Sequence, residues 1–472
     1  MSEEARDYLD EEEVFDALNR FKYSLVSGQK QYFDIAVFED IINQLLEEGD
    51  IETSEMAVLQ GLQIHPYAVP LHIKKAQVLI NKGDTAEALI SLSYTEQIES
   101  TNPDIHLLKG TAYSIEGDDK NAIKAFGLAI KYAGGELDEI LYHIGTVYIQ
   151  AGNFKLAAIF LEKGYKANPE NEEIIYELGF IFDQLGLRAK SIFYYNRYLD
   201  IDPFNSTAWY NLGISYNKSD EYEEAIKAYD FALALNPGLH QAVFNKGNTY
   251  ANMGKFVEAI DCYNEYIEGD PNNDEAYCYL GECYFNLENK KVALKYYRKA
   301  TKINHKNDNA WFGAALIMLA EKRYGESIVY LKKAVKLDDM VADYWFSLGK
   351  VYAETSKLEK AIDSLENALV IEPENTEMWI YYAELLHNSD KHNDAINILK
   401  KGSVLNNDNA DIKYRLTAYL LEDNNEKEAF NHLEKALILD FSRHDNLFEI
   451  CPKAAENDSV KKLIGEYNPI KS

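Results

Sequence analysis

The stretch that decides the fold covers residues 206–239 and reads STAWYNLGISYNKSDEYEEAIKAYDFALALNPGL. Its residue types recur along the chain at a fixed spacing. The four tryptophans are separated by 102, 34 and 34 residues; they are Trp209, Trp311, Trp345 and Trp379. Four prolines follow one another at intervals of 34, and a fifth lies 102 residues further on; they are Pro169, Pro203, Pro237, Pro271 and Pro373. Two unrelated residue types thus share one period, which indicates an internal repeat.

Each repeat has the pattern of two helices joined by a turn. With Ser206 as position 1, positions 4, 7, 8 and 11 form one apolar stripe, which predicts a first helix. Small residues at positions 8 and 20 allow a second helix to approach closely. Gly or a polar residue at position 15 turns the chain, and proline at position 32 ends the second helix.

This pattern resembles the tetratricopeptide repeat, W-x2-L-G-x2-Y…A-x3-F…P. The resemblance implies two antiparallel helices per repeat, stacked into a right-handed superhelix. Position 20 is Ala or Ser in twelve consecutive repeats, and position 8 is Gly in seven of them. We therefore predict an all-α fold, an α-solenoid of about twelve helical hairpins over residues 35–443. The predicted repeats start at residues 35, 69, 103, 138, 172, 206, 240, 274, 308, 342, 376 and 410.

Helical stripes at both ends predict caps over the terminal repeats, whose outer faces would otherwise expose apolar surface. Residues 1–34 form a predicted acidic N-terminal capping helix, with its stripe at Val14, Phe15, Leu18, Phe21 and Leu25. Residues 444–472 form predicted C-terminal capping helices, with a stripe at Val460, Leu463, Ile464 and Tyr467.

Composition argues against several classes of partner. The net charge is −30, which would repel both nucleic acid and anionic membrane surfaces. The four cysteines form no CxxC pair, as expected of reduced thiols in a cytosolic protein. The first residues lack the pattern of a secretory signal, and no apolar run approaches membrane-spanning length. We expect a cytoplasmic protein with no nucleic-acid or membrane partner.

The sequence contains none of the motifs GxxxxGK[ST], GxGxxG, HExxH or GxSxG in a catalytic context. Its ten histidines form no cluster typical of a metal site. We therefore expect a non-enzymatic protein without a metal or an organic cofactor, whose function is to bind other proteins.

A second stripe on the first helix, which the resemblance places in a concave groove, is rich in aromatic and amide side chains. Amides donate and accept hydrogen bonds, so they can pair with an extended peptide backbone, and aromatic rings add contact area. The predicted groove residues are Tyr176, Tyr210, Asn211, Asn217, Phe244, Asn245, Asn248, Asn252, Asn286, Phe312 and Phe346. Alternatively, the aromatic residues at position 5 pack between neighbouring repeats. The repeat from residue 308 offers either an apolar anchor pocket or ordinary core.

Charged surfaces suggest a function other than peptide binding in the groove. A basic patch is predicted on the convex side, at Lys291, Lys295, Arg298, Lys299 and Lys302. Residues 1–68 hold 16 acidic and 4 basic residues. The preferred interpretation is a scaffold that binds a peptide or protein segment in the groove. The alternative is a regulatory or assembly subunit acting through convex or terminal surfaces, including self-association into a homo-oligomer.

Overall fold

The computed structural model describes residues 11–28 and 31–467, and this part of the chain contains 27 α-helices and three short 3-10 helices, without a β-strand. The predicted all-α solenoid is confirmed, since the helices pack in consecutive pairs. The chain forms two compact units, residues 1–242 and 243–472, described separately below. None of the described helices is both long enough and apolar enough to cross a membrane.

The first unit contains thirteen helices within its described residues. They are α1 (Glu11–Ser27), α2 (Ile35–Glu47), α3 (Ile51–Ile64), α4 (Val69–Lys82), α5 (Thr85–Ile98), α6 (Pro103–Ile115), α7 (Asp119–Tyr132), α8 (Leu137–Gln150), α9 (Phe154–Ala167), α10 (Glu172–Gln184), α11 (Arg188–Ile201), α12 (Ser206–Lys218) and α13 (Tyr222–Leu235). In the predicted cap α1, Leu18 and Phe21 are buried, whereas Phe15 and Leu25 are exposed.

The second unit contains the remaining helices, of which the first begins just before the unit boundary. They are α14 (His240–Asn252), α15 (Phe256–Gly269), α16 (Asp274–Asn286), α17 (Lys290–Ile303), α18 (Asp308–Ala320), α19 (Tyr324–Leu337), α20 (Ala342–Glu354), α21 (Leu358–Ile371), α22 (Thr376–His387), α23 (His392–Leu405), α24 (Ala410–Glu422), α25 (Glu426–Leu439), α26 (Asp445–Ile450) and α27 (Asp458–Glu466). Val460 and Ile464 of α27 are buried. The division of the chain into twelve repeats and two caps stays a prediction.

A residue with left-handed backbone lies in the turn between the two helices of each pair from α2 to α25. Six are glycine and six are not: Gly49, Gly83, Gly117, Gly152, Gly186, Asp220, Gly254, Glu288, Lys322, Ser356, Asp390 and Asn424. The following residue donates its N–H to a carbonyl five residues earlier, as Lys255 does to Tyr250 at 2.9 Å. This hydrogen bond is the one that ends a helix in a Schellman motif.

Seven glycines in first helices allow the two helices of a pair to approach closely. A Cβ atom at Gly213 of α12 would lie 2.5 Å from a ring carbon of Tyr229 in α13. The equivalent contacts are Gly110 with Phe126, Gly145 with Leu161, Gly179 with Tyr195, Gly247 with Tyr263, Gly281 with Tyr297 and Gly349 with Leu365. Where alanine replaces the glycine, at Ala76, Ala315 and Ala383, the corresponding residue of the second helix is leucine. In all five pairs whose second helix has an aromatic residue at this position, the ring therefore faces a glycine of the first helix.

Each tryptophan connects its helix to the turn that precedes it. The indole Nε1–H donates to a carbonyl six residues earlier: Trp209 to Pro203 at 2.9 Å, Trp311 to His305 at 3.0 Å, Trp345 to Asp339 at 3.0 Å and Trp379 to Pro373 at 2.8 Å. The ring of Trp209 also stacks on Phe231, with centroids 4.6 Å apart. These indoles therefore stabilise the connection between successive helical pairs.

Asparagines at the starts of first helices cap those helices, and some of them also bind the preceding pair. Asn307 accepts a hydrogen bond from the backbone N–H of Ala310 at 2.8 Å, which satisfies one of the free donors of α18. Its amide also donates to Asp274 at 2.7 Å, together with the amide of Asn304 at 3.0 Å. In the first unit, two asparagines bind Asp138 in the same way, and the hydrogen bonds lower the pKa of that carboxyl.

Candidate functional site: a cavity between α16 and α18

The even-numbered helices form one surface in each unit, here called the first-helix face. In the first unit α4 contacts α6 and α6 contacts α8, and in the second unit α16 contacts α18 and α18 contacts α20. The odd-numbered helices form the opposite surface, called the second-helix face. The predicted groove residues belong to even-numbered helices, and the predicted basic patch belongs to α17.

A cavity of about 670 Å³ opens on the first-helix face of the second unit. This volume falls within the range of roughly 300–1,000 Å³ that is usual for ligand pockets. The walls come from α16, from α18, from Tyr297 of α17 and from the turn between α17 and α18. The lining residues are Asp274, Glu275, Cys278, Tyr279, Glu282, Phe285, Asn286, Tyr297, Asn304, Lys306, Asn307, Asp308, Asn309, Phe312, Gly313 and Leu316.

The ring of Tyr297 and the absence of a side chain at residue 313 shape the cavity. A Cβ atom at Gly281 of α16 would lie 2.8 Å from this ring, and one at Gly313 of α18 would lie 2.3 Å from it. The tyrosine ring therefore occupies the space between a glycine of α16 and a glycine of α18. Burial raises the pKa of its hydroxyl, so this ring is a neutral wall of the cavity.

Four carboxylates and one ammonium group line this cavity. Asp274 accepts the two asparagine amides described above, and Asp308 accepts a hydrogen bond from the hydroxyl of Tyr344 at 2.6 Å. The carboxylates of Glu275 and Glu282 have no hydrogen bond or ion pair with a residue that the structure describes. Glu282 is accessible from the open side, but the cavity walls withdraw water from its carboxyl and raise its pKa.

Two cysteines of α16 are too strongly protonated to act as nucleophiles. Burial raises the pKa of Cys278, in the cavity wall, and of Cys283, in the core, to about 12 each. A thiolate is the reactive form of cysteine, and very little of it exists at neutral pH with such a pKa. In the residues that the structure describes, no group of His, Cys, Asp and Glu side chains has the arrangement of a metal site.

The predicted groove residues of the first unit are half-buried and contact one another between helices. Asn211 of α12 donates its amide to the hydroxyl of Tyr176 in α10 at 3.1 Å. The ring of Tyr176 meets the edge of Tyr198, with centroids 5.1 Å apart. Tyr210 and Asn217 are also half-buried. These side chains connect neighbouring pairs, and they leave part of each polar group on the first-helix face.

The predicted groove residues of the second unit have different environments. Phe244, Asn245, Asn248 and Phe312 are half-buried, Phe346 is buried, and Asn252 and Asn286 are exposed. Phe244 and Phe346 contact Tyr266 and Tyr381, with ring centroids 4.9 and 5.4 Å apart. Asn248 accepts a hydrogen bond from the buried hydroxyl of Tyr263 at 2.7 Å. The structure brings Asn286 and Phe312 together in the cavity, and the other predicted residues lie outside it.

Sequence reasoning missed Glu275, Glu282, Tyr297 and Gly313 as residues of the cavity. One signal was available, because Gly313 is the single glycine at position 6 of the predicted repeats. The remaining residues become recognisable only when the contact between α16 and α18 is known.

The predicted basic patch lies on the second-helix face, and all five of its side chains are exposed. Lys299 donates to the hydroxyl of Tyr277 at 2.7 Å and lies 3.9 Å from the centroid of its ring. Lys291, Lys295, Arg298 and Lys302 form no ion pair with any described residue. A smaller cavity of about 330 Å³ between α19 and α21 includes Lys332, Lys336 and Lys360.

Models of known protein families match most of the chain. Models of the tetratricopeptide repeat match residues 103–135, 138–171, 172–205 and 206–239. The model described as the cilia and flagella-associated protein 70 C-terminal domain matches residues 238–447. No curated protein sequence shows significant similarity to the chain.

Several solved structures are similar to parts of this chain. A tetratricopeptide repeat protein from Parabacteroides merdae is 20% identical, covering 53% of this chain and 98% of its own, with a TM-score of 0.41. YrrB, described as a TPR protein with an unusual peptide-binding site, is 23% identical over 42% of this chain and 97% of its own, with a TM-score of 0.33. PilF of Pseudomonas aeruginosa is 18% identical over 46% of this chain and 98% of its own, with a TM-score of 0.40.

Proposed function

The chain is a tetratricopeptide repeat protein and therefore has the fold of a protein–protein interaction scaffold; we propose that it binds a peptide segment at the cavity between α16 and α18. The family resemblance predicted from the sequence is confirmed. The fold is in general a non-enzymatic one, and the proposed function needs no catalytic group.

The observation that carries this proposal is the combination of cavity size and lining. Phe285 and Phe312 offer apolar area. Asn286 and Asn309 are exposed amides. Asn286 donates to the Glu282 carbonyl and Asn309 accepts from the Tyr344 hydroxyl, and each amide has a further N–H or lone pair for the backbone of an extended segment. The lining as a whole is about equally polar and apolar, so the cavity can contact both the backbone and the side chains of a bound segment.

A matched pair of tryptophan variants tests the proposal. Asn286 is exposed, and its amide donates only to the carbonyl of Glu282 in its own helix, so Asn286→Trp adds bulk over the cavity without removing a contact between helices. Asn252 is also exposed and has the equivalent place in α14, outside the cavity, so Asn252→Trp is the control.

The full-length chain and both variants would be used to capture proteins from a lysate of the source organism, with quantitative mass spectrometry. We expect a set of partners that is lost with Asn286→Trp and retained with Asn252→Trp, at equal helix content by circular dichroism. Equal recovery of all partners by the two variants would refute binding at this cavity.

The unpaired basic side chains on α17 favour a second candidate, assembly through the second-helix face. Lys291, Lys295, Arg298 and Lys302 are exposed, and residues 1–68 carry an excess of acidic residues, so two copies of the chain have complementary charges. Light scattering at increasing protein concentration would reveal dimers that dissociate as salt is added. A monomer at low salt and high protein concentration would exclude this candidate.

A further inference from the structure

We infer that the cavity between α16 and α18 selects a segment carrying a lysine or arginine side chain, with Glu275 and Glu282 as the acceptors of its charge. The inference rests on the peptide-binding function proposed above and specifies the chemistry of the segment.

The balance of charge in the cavity favours a cation. Of its four carboxylates, Asp274 and Asp308 already accept hydrogen bonds from neighbouring side chains. Glu275 and Glu282 remain without a partner among the described residues, and the single ammonium group in the lining is that of Lys306. An added cationic side chain would form charge-assisted hydrogen bonds with these two glutamates, which are stronger than neutral ones.

Desolvation of Glu282 supports the same conclusion. The cavity walls raise the pKa of its carboxyl, and no neighbouring cation offsets the loss of water. An apolar side chain in the cavity would withdraw more water from this carboxylate and leave it unpaired, which is unfavourable. An acidic side chain would add repulsion. A lysine or arginine side chain would instead pair with the carboxylate and offset the free energy lost by its desolvation.

The aromatic walls suit the same two residue types. Lysine and arginine combine an aliphatic stem, which packs on rings, with a cation, which is attracted to ring faces. Tyr279, Phe285 and Phe312 line the cavity around the glutamates. The chain already makes such a contact on the same surface, where Lys350 of α20 lies 4.0 Å from the centroid of the Phe346 ring.

The preference is local to this cavity. On α18, the residue equivalent to Glu282 is Leu316, and on α20 it is Lys350, which pairs with Glu377 at 3.3 Å. A change at Glu282 therefore alters the charge of one cavity and leaves the neighbouring first-helix surface as it was.

A synthetic peptide library measures the preference directly. The probe is a library of nonapeptides with acetylated N-termini and amidated C-termini. In each set of peptides one position carries a fixed residue and the other eight carry mixtures of residues. The measured quantity is the amount of each set that the immobilised full-length chain retains. We expect the sets with lysine or arginine fixed at one position to be retained roughly tenfold better than those with glutamate, a factor that corresponds to about 1.4 kcal/mol.

Three variants identify the source of the preference. Glu282→Gln is expected to reduce it, and Glu282→Lys is expected to invert it toward acidic peptides. Glu268→Gln removes an exposed carboxylate of α15, outside the cavity, and is expected to leave the preference unchanged. The Glu282 carboxylate makes no hydrogen bond or ion pair with a described residue, so its variants should keep the helix content of the parent chain.

The possible results separate the two proposals. Peptides retained without charge preference, and released by Asn286→Trp, would overturn the selection of a cation but keep peptide binding at the cavity. A preference that survives in Glu282→Lys would also overturn the inference. Retention that is equal for the parent chain and for Asn286→Trp would contradict the proposed function itself.

Discussion

Replacing Gly213 by alanine tests the close approach of α12 and α13. The added Cβ atom would lie 2.5, 2.7 and 3.0 Å from three ring carbons of Tyr229, where carbon atoms normally stay about 3.5–4.0 Å apart. The ring is 1% exposed and lies among buried residues, so it cannot move aside without disturbing the core. We therefore expect Gly213→Ala to destabilise this helical pair.

The expected magnitude is a difference between two effects. Overpacking of a core costs about 1–3 kcal/mol, and three short contacts place this case in the upper half of that range. Alanine is better than glycine inside a helix by about 1 kcal/mol. The net loss of stability is therefore about 1–2 kcal/mol. A glycine inside α7 is the matched control: at Gly127 an added Cβ meets no atom within 4 Å, so Gly127→Ala should stabilise by about 1 kcal/mol.

The assay should report the stability of individual helices, since long repeat arrays lose all-or-none unfolding. Native-state hydrogen exchange of α12 and α13 measures the free energy of local opening, and urea denaturation followed by circular dichroism gives the global effect. The expected result is faster exchange in α12 and α13 for Gly213→Ala, with slower exchange in α7 for Gly127→Ala.

A second substitution decides whether contact with the ring is the cause. Tyr229→Leu in the Gly213→Ala background recreates the alanine–leucine combination found at Ala315 and Leu331. The two changes should be coupled by about 1–3 kcal/mol, because each single variant alters the same contact. Strict additivity, or a Gly213→Ala variant as stable as the parent, would refute the reasoning.

Further substitutions test three other features of the second unit. Asn248→Ala removes the acceptor of the buried Tyr263 hydroxyl, so thermal unfolding should show a loss of about 1–3 kcal/mol, most of it restored by adding Tyr263→Phe. Lys322→Gly removes a side chain from a residue with φ of 59° and should raise stability in urea by up to about 1 kcal/mol, whereas Gly254→Ala should lower it. Burial lowers the pKa of Lys413, so its charged form destabilises the fold until the pH rises through that lowered pKa toward the unfolded value near 10.4. Lys413→Met should therefore be more stable by on the order of 1 kcal/mol at pH 7, and a difference from the parent that stays constant up to pH 10 would contradict this cause.

The all-α solenoid was predictable because its signals are local and repeated. Two unrelated residue types, tryptophan and proline, share one period. The tryptophans donate hydrogen bonds to the turns that this period predicts. The contact between glycine and an aromatic ring was also within reach of the sequence once the period was known. The same packing residues recur in every repeat, so the period stays recognisable even where a single repeat departs from the pattern.

The candidate site was less predictable because it depends on a departure from the pattern. Gly313 is visible in the sequence, but the cavity also requires the Tyr297 ring to fill the space between two glycines. Asn248 illustrates the opposite error of interpretation: an amide predicted for the groove accepts a hydrogen bond from Tyr263, fifteen residues later in the next helix. Periodicity assigns a face to a residue, but it does not say whether a neighbouring side chain already binds it.

The four indoles also make the chain its own fluorescence reporter. Each Nε1–H is hydrogen-bonded to the turn before its helix, so opening of that turn breaks this bond and changes the emission of the indole. Trp209 is the one tryptophan among residues 1–242, and the other three lie at successive turns of the second unit. Variants that keep one tryptophan and replace the others by phenylalanine would report the order in which individual turns open, without an attached dye.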